Sequence, residues 1–377
     1  MSDIADLSKG IGISKDQLSA DGEPCILYGE LYTKYKSETI KEVISKTNID
    51  NTKLVKSKAN DVIIPCSGET AEEIATARCV LKDDILLGGD LNIIRLHGYD
   101  GSFMSYQLNG KRKYDIAKVA QGVSVVHLYG EHLKNIKTIN PSLNEQKKIA
   151  NLLSLLDERI STQNKIIEDL KKLRSAISKH LFERRDLLGT KIKLSKVAEL
   201  KNGYAFQSSK YNSLGEWKII TITNVTGERY IKENDCNCIL EIPNDIQKHQ
   251  KLKANDVLIS LTGNVGRVSL CTEGLFLLNQ RVGLLQLKVS EDREYIYQAL
   301  SSHKFENSMI ACAQGAAQMN IGKGDVENYI LPYSFNRKNI NVVASVLRAY
   351  DKYIINETNL QSILHIQKQY LLRQMFI

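Results

Sequence analysis

No apolar run in this 377-residue chain approaches the roughly 18 residues that a membrane-crossing helix needs, so no membrane role is expected. The opening residues, MSDIADLSKG, offer neither a basic patch nor an apolar stretch, and no secretory signal is expected from them. Cysteine is sparse and scattered: there are 7, the closest pair is Cys236-Asn237-Cys238, and no C-x-x-C occurs. That spacing argues against a zinc site, and reduced thiols in a cytoplasm are the simplest reading. Catalytic signatures are missing as well. There is no G-x-x-x-x-G-K-[ST], G-x-S-x-G or H-E-x-x-H, no Asn/Asp-Pro-Pro-aromatic motif and no glycine-rich cofactor loop. The glycine-rich stretch LTGNVGRV, Leu261–Val268, sits between two β-type runs rather than at a helix start. It is read as a tight turn presenting Asn264 and Arg267. No cofactor, metal or catalytic residue is expected, and a binding module is favoured over an enzyme.

An excess of charge of one sign is absent from most of the chain. Residues 1–141 carry 18 basic and 19 acidic side chains, and 186–335 carry 17 and 16. The excess behind the net charge of +8 lies in two segments, 142–185 with 10 basic and 6 acidic, and 336–377 with 6 and 2. The near-neutral stretches would gain little sequence-independent attraction from phosphates. The basic segments suit DNA, an acidic partner or a solvated face.

The chain repeats itself. KANDV occurs at Lys58–Val62 and again at Lys253–Val257. Gly10 matches Gly203 and Gly22 matches Gly215, while AQGVSVVHL from Ala120 matches AQGAAQMNI from Ala313. IANLLSLLDERI, Ile149–Ile160, matches VASVLRAYDKYI, Val343–Ile354. An offset that stays between about 191 and 195 implies tandem duplication of one domain-sized unit, far longer than a solenoid repeat. Each copy opens with short β-type runs such as WKIITITNV, DVLISLT and VGLLQLKV. Each closes on a long amphipathic stretch. In the first, Ile149, Leu153, Leu156, Ile160, Ile167, Leu170, Leu173, Ile177 and Leu181 recur mainly in steps of three and four. In the second, Val343, Leu347, Tyr350, Ile354, Leu360, Leu364, Leu371 and Met375 do so. The expected class is α+β: two mixed α/β globular domains, 1–141 and 186–335, separated by two long antiparallel coiled-coil helices, 142–185 and 336–377, in a pseudo-two-fold repeat.

The stretch INPSLNEQKKIANLLSLLDERISTQNKIIEDLKKLRSAISKHLF resembles the central region of the specificity subunits of type I restriction-modification systems. ELKNGYAFQSSKY and AQGAAQMNIGKGDVENYILPYS resemble the start and end of that family's target-recognition domains. The resemblance implies a non-catalytic subunit in which each domain reads one half of a split, asymmetric site on double-stranded DNA. It also implies helices that set the spacing and bind two copies of an adenine DNA methyltransferase subunit, with a motor/endonuclease subunit joining the complex. Asn144, Glu145 and Gln146 are the expected partner contacts. The second helix lacks that Asn-Glu-Gln stretch, and the first domain's entry, GIGISKDQ, departs from the pattern.

Base edges are read by polar and basic side chains on loops that enter the major groove. In the second domain the candidates are Lys210, Thr262, Asn264, Arg267, Gln280, Arg281, Gln318 and Asn320. In the first they are Lys34, Tyr35, Ser67, Arg78, Lys111, Arg112 and Lys113. KANDV itself is read as scaffold, a turn and strand start needed by both copies. Two other readings stay open at this point: a DNA-binding protein that acts alone, and a coiled-coil scaffold without nucleic acid.

Overall fold

The computed structural model describes residues 1–50, 52–122, 125–314 and 319–376. It forms two compact units, Met1–Lys165 with Thr358–Ile377, and Ile166–Glu357. Two long helices, Leu143–Glu183 and Arg337–Gln374, each contribute residues to both.

In the first unit β1 (Ala5–Lys9), β2 (Thr39–Ile40), β3 (Asp61–Pro65), β4 (Arg78–Val80) and β5 (Leu91–Leu96) form a sheet of order β1-β5-β3-β4-β2. Only the β4–β2 pairing is parallel. β3 reads DVIIP and is buried at every position. Its apolar run does not alternate because both faces are covered. Val62 and Ile64 pack with Met104 and Leu108 of helix Gly101–Asn109. Ile63 packs the other way, with Ile26 and Leu87 of a second sheet.

The second unit repeats this plan. β6 (Ala198–Asn202), β7 (Val257–Ser260), β8 (Val268–Leu270) and β9 (Val282–Leu287) lie in the order β6-β9-β7-β8, all antiparallel. Val257 and Ile259 face Tyr295–Leu300 of helix Arg293–Leu300, while Leu258 faces Ile220, Phe276 and Leu278. The strand expected across WKIITITNV stops at Ile220. Beyond it the buried Asn224 accepts a hydrogen bond from the Thr221 amide at 2.9 Å and closes a turn.

The repeated pentapeptide makes the same turn twice. Asn60 and Asn255 hold φ of +84° and +67°, a left-handed conformation that Asn tolerates better than most residues. In both copies the following Asp turns back: Lys58 N–H donates to Asp61 Oδ2, and Lys253 N–H to Asp256 Oδ2, each at 2.8 Å. The turn launches the central strand, β3 or β7. The matched glycines serve one purpose as well. A Cβ on Gly10 would lie 2.0 Å from the Gly88 carbonyl oxygen, and one on Gly203 2.1 Å from that of Asn279. Two chain segments cross there too closely for any side chain.

Within each unit the long helices pair antiparallel. In the first, Asp157 meets Lys368 at 2.6 Å, while Ala150 and Leu153 pack with Leu372 and Phe376. In the second, Arg174 meets Asp351 at 3.0 Å, and Ile177 and Leu181 pack in one core with Val343 and Leu347. Numbers fall along one helix as they rise along the other. The apolar seam holds at Leu153, Ile160, Ile167, Val343, Leu347 and Leu364, all buried, while at the C-terminal end Leu372 takes the buried place expected for Leu371, which is half-buried. It breaks at Leu360, which is exposed, and at Leu173, 47% exposed, where the adjacent Arg174 takes the inward place and its ion pair. Among the described residues no helix is long and apolar enough to cross a membrane, and no cluster of His, Cys, Asp and Glu could hold a metal.

Candidate nucleic-acid interface

The loops at the far end of β7 and the near end of β9 come together in the second unit. Leu261 N–H donates to the Arg281 carbonyl, and Ile321 N–H to the Leu261 carbonyl, both at 2.9 Å. Thr262 and Asn320 face each other across an isolated bridge, with the threonine hydroxyl donating to Asn320 Oδ1 at 3.1 Å. Asn279 Oδ1 accepts from Arg281 N–H at 3.1 Å and fixes the 279–281 corner, and Gln280 N–H donates to the Tyr204 carbonyl at 3.0 Å. Between β7 and β8, Gly263 and Gly266 hold φ of +74° and +79°, and the Ser260 hydroxyl donates to the Asn264 carbonyl. Both make a tight turn that presents Asn264. Thr262, Asn264, Gln280, Arg281 and Asn320 therefore share one polar rim, and all but the half-buried Thr262 are exposed.

Other candidates lie elsewhere. Arg267 turns back toward Glu306, at 3.5 Å. Lys210 is exposed in the turn Ser208–Lys210, outside the hydrogen-bonded rim. Gln318 lies outside the described residues.

The first unit has the same corner with different residues. Cys66 N–H donates to the Asp90 carbonyl at 2.7 Å, and Leu128 N–H to the Cys66 carbonyl at 2.8 Å. Ser67 pairs with His127, its hydroxyl 3.3 Å from His127 Nδ1. Next to them Lys9 Nζ sits 5.1 Å from the centre of the Tyr129 ring. Where the second unit has Gln280 and Arg281, the first has Gly89 and Asp90. His127 and Tyr129 were missed in the sequence. The signal was present: aligning AQGVSVVHL with AQGAAQMNI sets His127 against Asn320.

Three expectations need correction. Arg78 is only 9% exposed, and its guanidinium donates to the carbonyls of Tyr35 at 3.1 Å and Ala77 at 2.9 Å. Burial lowers its pKa, though it stays basic. Tyr35 is buried beside it, with the phenol pushed up to about 12 by burial and its oxygen accepting from Ile44 N–H. Both are scaffold, because their polar atoms are consumed inside the domain. Gln146, expected to meet a partner, is 1% exposed. Its amide donates to the Pro141 carbonyl at 2.8 Å and accepts from Asp100 N–H at 2.9 Å, so it ties the helix start to the domain. Asn144 and Glu145 on the same first turn are exposed. Lys34 is held by Glu30 and Ser45, each at 2.7 Å. Lys111 and Arg112 lead into the short helix Lys113–Val119, which packs on Ala71–Ile74, a helix that also touches the Ser67 strand. Lys111 is exposed, and Arg112 is drawn to Asp115 at 3.3 Å.

In each unit the long helices are anchored by buried charge. Lys368 lies between Glu38 at 2.5 Å and Asp157 at 2.6 Å, and the Tyr106 hydroxyl donates to Asp157 at 2.8 Å. Burial pushes the Glu38 carboxyl up. Burial pushes Asp157 the same way, but Lys368 together with hydrogen bonds from Glu38 and Tyr106 holds that carboxyl below its ordinary value. In the second unit Asp351 lies between Arg174 at 3.0 Å and Arg229 at 2.8 Å, with Glu294 2.6 Å from Arg229. Burial raises Glu294, yet the Arg229 bonds bring it below its ordinary value.

The family model for the type I restriction modification DNA specificity domain matches residues 1–172 and again 190–365. The chain belongs to this family. The specificity subunit of the type I restriction enzyme MjaVIII of Methanocaldococcus jannaschii is 26% identical over 357 residues, covering 87% of this chain and 80% of that protein. A crystal structure of a type I restriction-modification S subunit from M. genitalium shares the specificity fold at a TM-score of 0.63 and 17% identity, over 100% of this chain and 94% of that one. A chain from a structure on complex assembly and conformational transition of the type I system matches at 0.58 and 14%, over 98% and 95%.

Proposed function

We propose that this chain is the DNA-recognition subunit of a type I restriction-modification complex. One observation carries the reading: a duplicated skeleton presents the same loop corner twice, filled with Ser67, His127, Gly89 and Asp90 in one unit and Thr262, Asn320, Gln280 and Arg281 in the other. Equal frames with different polar rims suit two different half-sites, since hydrogen-bonding groups in the major groove specify bases. In this reading 1–141 and 186–335 are the target-recognition domains, and 142–185 and 336–377 are the helical spacer. The subunit itself is non-catalytic and acts on double-stranded DNA in the cytoplasm, alongside two adenine methyltransferase subunits and a motor/endonuclease subunit. Asn144 and Glu145, with the exposed Leu152 and Leu155 further along that helix, offer a docking face for the first methyltransferase. Val342 and Val346, also exposed, offer one for the second, where the Asn-Glu-Gln stretch is absent.

The test is a methylome. The chain is co-expressed with the adenine methyltransferase encoded beside it in a host free of adenine methylation, and modified bases are sequenced. One asymmetric split motif is expected, and exchanging one domain should change only one half of it. A stable complex that adds no methylation would overturn the reading.

A further inference from the structure

The repeat extends upstream of KANDV. Lys53, Lys56 and Lys58 in the first unit recur as Lys248, Lys251 and Lys253 in the second, with the same spacing. Their backbone roles do not explain the side chains, because the turn uses only the N–H of Lys58 and Lys253. Nor is there a shared side-chain contact: Lys56 pairs with Glu23 at 3.5 Å, whereas Lys251 sits 5.8 Å from the Trp217 ring. What the two triplets share is charge at one place on the frame.

In the second unit this place is a cavity of about 590 Å³, lined by Lys201, Lys248, His249, Lys251, Lys253 and Arg293. A single acid, Asp256, faces them, and its Oδ2 already accepts from the Lys253 amide. Lys201 is paired with Glu199 at 2.8 Å. Lys253 and Arg293 are near enough to Asp256 for their charges to act on its carboxyl, so one acid stands against the cations of the cavity. The first unit pairs its acid at the same place. There Arg95 makes two bonds to Asp61, at 2.9 and 2.7 Å, and the equivalent strand position in the second unit is the uncharged Gln286.

We infer that this cavity holds a backbone phosphate of DNA, away from the base-reading rim. The inference rests on the proposed recognition role. Lysines act as point charges for phosphate, and a recess of this size admits a phosphate with its sugar. The cavity opens at the start of β7 and the reading rim at its end. Four residues of strand separate them by about 13 Å, comparable to the roughly 12 Å width of a major groove, so one duplex can reach both. Such a contact fixes register and carries no base information.

The experiment titrates a short duplex lacking the methylated motif with the full chain assembled with its methyltransferase, from about 50 to 200 mM salt. The variant is Lys248→Gln/Lys253→Gln/Arg293→Gln, and the comparison is Lys53→Gln/Lys56→Gln/Lys58→Gln. The first variant should bind every duplex several-fold more weakly, with a salt slope shallower by about 0.9, the contribution of one neutralised phosphate. The comparison variant should lose less, and both should keep the wild-type thermal unfolding and methylation motif. An unchanged slope and affinity would overturn the site. So would loss of methyltransferase association with DNA binding intact, which would assign the cavity to an acidic protein surface. Inorganic phosphate or a nucleoside monophosphate that binds the wild type but not the variant, without any difference on duplex, would assign it to a free phosphate ligand and also overturn the proposal. If neither wild type nor variant imposes a methylation motif, the recognition role fails, while the salt slopes still decide the cavity.

Discussion

The two units solve one anchoring problem with opposite third charges. Asp157 and Asp351 are equivalent in the repeat, and so are their cross-helix partners Lys368 and Arg174. To this pair the first unit adds an acid, Glu38, and the second adds a base, Arg229, balanced by Glu294. A duplicated fold thus keeps the buried pair and leaves the sign of its neighbour open, provided the local sum is compensated. Removing one member of such a set strands a buried charge, which costs far more than the set contributes as a whole.

The largest expected effect comes from Asp351→Asn. It leaves Arg174 and Arg229 facing each other with only Glu294 to compensate, and should destabilise by about 3–5 kcal/mol in chemical denaturation. Arginine keeps its proton, so no accessible pH should restore the loss. Lys368→Met should cost a similar ~3–5 kcal/mol at neutral pH but behave differently in acid. It strands two carboxylates, and these can be neutralised. In the wild type, the raised Glu38 contributes stability below its ordinary value of 4.5 and loses it as pH rises through the folded value. The lowered Asp157 contributes above 3.8 and loses that as pH falls through its folded value. Without Lys368, Asp157 loses the charge that helped hold it down, so both acids take protons more readily when folded. The deficit of the variant should therefore shrink as the pH is lowered from neutral toward about 4. Equal pH profiles for the two variants would break the contrast.

Gly10→Ala and Gly203→Ala probe where the units agree. Each Cβ would collide with a backbone carbonyl, so both should destabilise by about 1–3 kcal/mol and by similar amounts. A large difference would show that the shared crossing is not equivalent. Arg281→Ala probes where they diverge. It should weaken recognition by about 1–3 kcal/mol and relax one base in one half of the methylated motif, leaving stability within about 0.5 kcal/mol. A change spread over both halves would deny the rim its assignment.

Much of the frame was legible because it is periodic or repeated. Steps of three and four announced the long helices, and KANDV with Gly10 and Gly203 announced two equivalent units. The second sheets were not legible, since strands as short as Leu18–Ser19 and Leu86–Leu87 leave no alternation to count. At the candidate interface, residue type misled in a consistent way. Arg78, Tyr35 and Gln146 look like surface residues, yet each is buried because carbonyls distant in sequence converge on it. Such convergence has no local signature. Thr262, Asn264 and Arg281 were accessible to sequence reasoning because glycines and a strand end mark their loops.

The first unit is discontinuous, and this bears on how it is made. Glu38 and Asp157 leave the ribosome long before Lys368, the cation they are buried with, and residues 358–377 follow Lys165 only after the whole second unit. At about 5–20 residues per second that gap lasts roughly 10–40 s. For that time the N-terminal unit carries uncompensated acids and an uncovered helix face, so its final closure waits until the whole second unit has been made.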